Sequence, residues 1–135
     1  MCCDNNTTCD NCFDSIINTI LTLQDVNICK DDCSGCDKPF LGGGSNCILY
    51  NTRPLTFYTC RDNTLWQMPY NDNNDMTSAF RLEKKDGCCV TCRCLAPNTD
   101  QESEFPYIAT NRFFTINLNC VGSIQCLEDT YVACI

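Results

Sequence analysis

The stretch GCCVTCRC, residues 87–94, places four cysteines within eight residues of a chain that contains no histidine. Cysteines this dense serve one of three chemistries: thiolate binding of a metal, redox catalysis, or covalent cross-linking by disulfides. The whole chain carries 16 cysteines in 135 residues, a share above the ~8–10% that marks disulfide scaffolds. The choice among the three chemistries therefore concerns the whole molecule.

Zinc binding is suggested by three Cys-x-x-Cys pairs, which have the ligand spacing of zinc knuckles. They are Cys9 with Cys12, Cys33 with Cys36, and Cys89 with Cys92. A helix is predicted between the first two pairs, and strand alternation would point the members of the third pair to opposite faces. An all-thiolate site of Cys9, Cys12, Cys33 and Cys36 is the alternative hypothesis, and the main hypothesis contains no metal.

Catalysis has little support among the residue types present. A redox thiolate typically lies at a helix N-terminus that follows a strand, and no strand is predicted before Cys12. The absence of histidine removes Ser/His and Cys/His nucleophiles, and the LGGGSN run at 41–46 lacks the lysine of a phosphate loop. We expect a protein that is not an enzyme and that uses no cofactor.

The overall charge and hydropathy limit which partners the protein can bind and in which compartment it is made. The formal net charge is -8, and the nine basic residues are scattered, which argues against a nucleic-acid partner. The apolar-leaning window at 13–26 is too polar to span a bilayer, and the first residues do not read as a signal peptide. We therefore expect synthesis in a cytosol, where thiols are normally kept reduced.

The predicted elements are one helix followed by many short strands. Residues 1–12 read as a flexible cysteine-rich arm, and apolar residues at helical spacing predict a helix at about 13–26. From about residue 47 to 121, short β-branched and aromatic runs alternate with turn residues, and a C-terminal cysteine-containing segment follows at 122–135. The fold class is mainly β, a single β-sandwich-like domain over 13–135 with one N-terminal α-helix.

The opening stretch falls in a predicted hairpin whose strands cover 78–84 and 88–95. A three-residue loop at 85–87, with Gly87 left-handed, would place Leu82 opposite Val90 and Phe80 opposite Cys92. Strand alternation would then direct four side chains to the core face, namely Cys88, Val90, Cys92 and Cys94. The side chains of Cys89, Thr91 and Arg93 would lie on the other face.

Cross-linking, either between copies or entirely within one hardened monomer, accounts for more of the chain than metal binding or catalysis does. Each disulfide typically stabilises a fold by ~2–4 kcal/mol, so eight would exceed what a domain of this length needs to fold. The surplus suggests durability or links between chains. Cysteines on the arm and at the extreme C-terminus are the candidates for links between copies: Cys2, Cys3, Cys9, Cys12 and Cys134.

Four segments in order resemble the spore coat protein Y/Z family of endospore-forming bacteria, which includes the exosporium protein Y. They are CDKPFLG (36–42), NTRP (51–54), FRLEKKDGCCVTCRCL (80–95) and INLNCVGSIQCLED (116–129). The resemblance implies a structural protein without catalytic activity, made in the mother-cell cytoplasm without a signal peptide. It also implies self-assembly into two-dimensional lattices on the spore surface, in coat or exosporium, reinforced by disulfides after mother-cell lysis.

The resemblance also bears on partners and on single cysteines. It implies that the chain associates with itself and with other coat or exosporium proteins. Cys36, Cys120 and Cys126 lie inside the matching motifs and are family-like cysteines. Together with the inward positions of the hairpin, they make up the candidates for internal disulfides or core positions: Cys36, Cys88, Cys92, Cys94, Cys120 and Cys126.

Overall fold

A computed structural model describes residues 12–25, 50–133 and 135. This part of the chain is mainly β with one α-helix, which confirms that prediction of fold class. The helix is α1, Phe13–Asp25, and a 3-10 turn covers Leu118–Cys120. The strands are β1 Leu55–Thr59, β2 Met68–Pro69, β3 Met76–Thr77, β4 Phe80–Asp86, β5 Cys89–Pro97, β6 Tyr107–Asn117 and β7 Val121–Cys126.

Helix α1 lies where its apolar spacing predicts it and packs against β4. Its buried positions are Ile17 and Ile20, one turn apart on the same face. The Gln24 side chain donates to the carbonyl oxygen of Leu82 at 2.8 Å and accepts from the backbone N–H of Arg53 at 3.2 Å. These contacts attach the end of the helix to the sheet, which compensates for the weak helix propensity of its isoleucines and threonines.

Five strands form one antiparallel sheet in the order β6-β5-β4-β1-β7. In a flat sheet the outer two strands would lie about 19 Å apart, since neighbouring strands are spaced by about 4.8 Å. Yet β6 and β7 are joined only by the three residues Leu118–Cys120, and a 3-10 turn advances about 2 Å per residue. The sheet must therefore curl until its two edges meet at this turn.

Hydrogen bonds extend the β5–β6 and β1–β7 ladders up to this turn, so the β4–β5 loop and the end of β1 lie on either side of it. The N–H of Leu118 donates to the carbonyl of Cys88 at 2.8 Å, and the N–H of Cys60 donates to the carbonyl of Cys120 at 2.9 Å. Gly122 permits the close approach, because a Cβ there would lie 2.8 Å from the Cα of Cys60. The sequence predicts a β-sandwich-like domain, whereas five of the described strands form this one curled sheet and β2 pairs with β3 in a separate two-stranded sheet.

The core lies inside the curl and receives side chains from all five of its strands. Phe80 is at its centre, with ring centroids 5.9 Å from Phe57 and 4.7 Å from Phe114. Trp66, which precedes the β2–β3 ribbon, stacks on Phe114 at 6.4 Å and helps to cover the core. The fully buried residues of this cluster include Ile17, Leu55, Phe57, Phe80, Leu82, Val90, Cys92 and Leu118.

The β4–β5 hairpin shows the predicted alternation but not the predicted register. Leu82 lies opposite Cys92 and Phe80 opposite Cys94, two residues away from the prediction, and the loop residues are Gly87 and Cys88. Gly87 has φ of 60°, the left-handed conformation expected of it. The register shifts between Leu82 and Lys84, so a bulge at Glu83 takes up the extra residue. A register shift of two residues leaves the same side chains facing the core, so the apolar pattern cannot distinguish the two registers.

The bulge positions a charged network on the outer face of the sheet. The Glu83 carboxylate accepts from Arg81 and from Arg93, each at 2.5 Å. Arg81 is only 8% exposed and also donates to the Thr52 hydroxyl at 3.0 Å. The guanidinium of Arg93 lies 4.5 Å from the centre of the Phe113 ring. One carboxylate therefore balances two arginines that have lost much of their hydration.

Candidate cross-linking thiols

Cys92 and Cys94 are thiols buried in the core. They are 0% and 2% exposed, and Cys92 lies between Leu82 and Phe114 on the neighbouring strands. Desolvation by burial raises the pKa of both thiols above the ordinary value, that of Cys92 strongly. Because the thiolate is the reactive species, both behave as small hydrophobic residues and not as reaction partners.

Three further cysteines surround Asn119 in the turn that closes the sheet. The Cys60 thiol donates to the Asn119 carbonyl at 3.6 Å, and the Cys88 sulfur lies 4.0 Å from the Asn119 side-chain oxygen. Cys120 follows directly in the same turn. Cys88 is disulfide-bonded. Three strand ends thus bring sulfur atoms to one small region.

The remaining described cysteines are exposed free thiols: Cys12, Cys89 and Cys126. Cys12 directly precedes α1, Cys89 begins β5, and Cys126 ends β7. For Cys89 the exposure follows from strand alternation, since its neighbours Cys88 and Val90 are buried. These three thiols are accessible to an oxidant or to another cysteine.

The exposed thiols of β5 and β7 cannot bond to each other within one copy. Cys126 lies opposite Leu55, Leu55 opposite Phe80, and Phe80 opposite Cys94. Across these pairings Cys126 aligns with Cys94. Cys94 and Cys89 are five residues apart on β5, so at 3.4 Å per residue Cys126 and Cys89 are offset by about 17 Å along the strand direction. A disulfide requires Cα atoms within about 7 Å.

Several predicted site residues lie outside the described residues, namely Cys2, Cys3, Cys9, Cys33, Cys36 and Cys134. Of the four cysteines in the alternative zinc site, only Cys12 is described, and it is exposed. Within residues 12–25, 50–133 and 135, no three Cys, Asp or Glu side chains are grouped closely enough to hold a metal ion. The zinc alternative stays a prediction.

Sequence reasoning misplaced one thiol and overlooked another. Cys126, predicted to be internally paired or in the core, is an exposed free thiol at the end of an edge strand. The predicted β region stops at 121, whereas β7 continues to Cys126. Cys89 was expected on the outer face but not among the cross-linking candidates. The strand alternation that exposes Cys89 can be recognised in the sequence. Gly122 and Ser123 interrupt the strand pattern of β7, so the extent of this strand could not be predicted.

The chain matches no protein family, no curated protein and no solved structure. No helix in the described part is long and apolar enough to cross a membrane.

Proposed function

We propose that this chain is a structural protein whose copies assemble into a layer and are joined by disulfides. The observation that carries the proposal is the division of its cysteines into buried and exposed groups. Cys92 and Cys94 are in the core, whereas Cys89 and Cys126 are exposed, free and too far apart to bond to each other. On oxidation, each needs a partner outside this pair, and a neighbouring copy supplies one.

The setting that we propose is the surface of a bacterial spore, in the coat or exosporium. The support is the ordered resemblance of four segments to the spore coat protein Y/Z family. Two of these segments, 80–95 and 116–129, contain the exposed thiols Cys89 and Cys126. In this proposal the protein is made in a reducing mother-cell cytoplasm and is cross-linked after lysis, to itself and to other layer proteins.

The cysteine-rich arm over residues 1–12 belongs to the same proposal. Cys12 is the one cysteine of the arm within the described residues, and it is exposed where the arm joins α1. In the proposal, Cys2, Cys3 and Cys9 provide further links to neighbouring copies, as does Cys134 at the other end of the chain. Disulfides would then convert reversible contacts into kinetically permanent ones.

Isotope mixing tests which disulfides join copies. Subunits labelled with nitrogen-15 and unlabelled subunits are mixed while reduced, oxidised in air, digested at acidic pH and analysed by mass spectrometry. We expect disulfide peptides containing Cys89 or Cys126 that join a labelled to an unlabelled chain. The double variant Cys89→Ser/Cys126→Ser should lose these species, and the control Cys92→Ala/Cys94→Ala should keep them. Finding Cys89 and Cys126 only in disulfides within one chain would overturn the proposal.

A further inference from the structure

Strand β6 forms one edge of the five-stranded sheet. Its 11 residues pair with β5 on one side, and no strand among the described residues pairs with it on the other. The register of this pairing shifts between Arg93 and Leu95, so β6 bulges at 110–112. Beyond the bulge, Phe113–Asn117 runs as a regular strand to the closing turn.

The backbone groups that this half of β6 leaves unused follow from the pairing pattern. Leu118 donates to Cys88, the residue directly opposite it, at 2.8 Å. Hydrogen-bonded pairs alternate with non-bonded pairs in an antiparallel ladder, so Ile116 and Phe114 also bond to β5. The N–H and C=O groups of Phe113 and Thr115 therefore point away from β5.

The neighbouring ladder independently supports this assignment. The N–H of Leu95 donates to the carbonyl of Ala79, its partner on the β4 side, at 3.0 Å. Odd-numbered residues of β5 therefore bond towards β4 and even-numbered ones towards β6. Thr91, which lies opposite Thr115, bonds towards β4, which leaves the backbone groups of Thr115 directed outward.

This edge has few of the features that normally block strand pairing. Natural edge strands are protected by charges, prolines or bulges. Phe113–Asn117 contains no charged residue and no proline, and the bulge lies outside it. Phe113, one of the residues with outward backbone groups, is 49% exposed. The sequence FFTIN is β-prone throughout most of its length.

The charge distribution favours approach of a second copy at this edge. No acidic residue occurs between Glu104 and Glu128, a run that includes all of β6, the closing turn and β7. The only charged residue in this run is Arg112, while the chain as a whole carries a formal charge of -8. Arg112 contacts Asp72, so pairing of two β6 strands brings few like charges together.

We propose that two copies associate through antiparallel pairing of their Phe113–Asn117 strands about a two-fold axis. In such an arrangement each outward N–H of one copy faces an outward C=O of the other, so the edge is complementary to itself. The two sheets then continue into each other. This contact goes beyond the disulfide assembly, because it is non-covalent and persists in reductant.

Thr115→Pro tests the contact with little disturbance of the subunit. Proline removes an N–H that is not used in pairing with β5, and edge strands tolerate proline at such positions. Thr115→Val is the matched control, since it keeps both the N–H and the β-branched shape. Analytical ultracentrifugation of fully reduced protein over a range of concentrations measures the dimerisation constant.

We expect reversible dimers for the reduced native sequence and for Thr115→Val, and dimerisation weakened about tenfold or more for Thr115→Pro. A native chain that stays monomeric, or a folded Thr115→Pro that dimerises equally well, would overturn the proposal. If Thr115→Pro does not fold, amide hydrogen exchange on the native chain decides instead. Slower exchange at Phe113 and Thr115 with rising concentration supports the contact, and exchange independent of concentration rejects it.

Discussion

At the scale of single residues, the burial of a thiol decides what it can do. Cys92 and Cys89 are three residues apart on one strand, yet one is 0% exposed and the other is an exposed free thiol. The difference follows from the alternation of β5, whose even-numbered residues face the core from 88 to 94. The density of cysteine in this stretch therefore reflects two separate uses, packing on one face and reactivity on the other.

The raised pKa of Cys92 predicts a pH dependence of stability. An unfolded thiol ionises near pH 8.5, whereas burial keeps Cys92 protonated in the folded state well above that pH. Above pH ~8.5 the unfolded chain thus binds fewer protons, so the free energy of unfolding falls as pH rises. We expect Cys92→Ala to show a shallower fall than the native sequence.

The measurement is urea unfolding of reduced protein at a series of pH values on both sides of pH ~8.5. Cys89→Ser is the control, because it removes an exposed thiol from the same strand and should keep the fall in stability that Cys92 causes. Equal slopes for Cys92→Ala and the native sequence would show that Cys92 ionises alike in both states.

At the scale of elements, the β4–β5 hairpin depends on the charged network at its bulge. Glu83 is the carboxylate that contacts both Arg81 and Arg93, and desolvation lowers the pKa of Arg81 against the opposing effect of Glu83. Removing one partner of a buried ion pair costs ~3–5 kcal/mol. Since Glu83 is partly exposed, we expect Glu83→Gln to lower the free energy of unfolding by about 2–3 kcal/mol.

Asp86→Asn is the matched control for Glu83→Gln. Asp86 is an exposed carboxylate on the same strand, at the hairpin end, and its substitution should change stability by less than about 0.5 kcal/mol. Chemical denaturation of both variants at neutral pH gives the comparison. If Glu83→Gln were no more destabilising than Asp86→Asn, Glu83 would not be needed to balance the two arginines.

The elements differ in how far the sequence could predict them. Helix α1 and the alternation of β5 follow from local periodicity, and the structure places both where the residues indicate. The hairpin register depends on Glu83 leaving the ladder to reach Arg81 and Arg93, an interaction across strands that no local pattern contains. Curling of the sheet depends on the turn Leu118–Cys120 lying between Cys88 on one side and Cys60 on the other, and both are far from the turn in sequence.

The cysteines of the candidate site also differ in how far the sequence could predict their positions. Local alternation was enough to predict that Cys92 and Cys94 face one side of β5 and Cys89 the other. The exposure of Cys126 could not be predicted locally, because it depends on β7 being an edge strand. The grouping of Cys60, Cys88 and Cys120 around Asn119 likewise exists only because the two edges of the sheet meet there.

At the scale of the whole molecule, the net charge opposes assembly. Each copy carries a formal charge of -8, so copies packed in the proposed layer would repel one another at low ionic strength. Salt screens this repulsion, with a Debye length of about 10 Å at 0.1 M. We therefore expect assembly of the reduced protein, followed by light scattering, to strengthen as salt is added. A non-ionic solute at equal osmolality is the control, and assembly that weakens steadily with salt would contradict this prediction.

The central claim is that oxidation joins copies of this chain covalently, and one gel tests it most directly. Protein purified in reductant is exposed to air, alkylated, boiled in detergent and run with and without reductant. The account predicts a ladder of high-mass species that collapses to a single 15.2 kDa band only in reductant. A 15.2 kDa band in both lanes would show that the thiols do not join copies, and the account would be wrong.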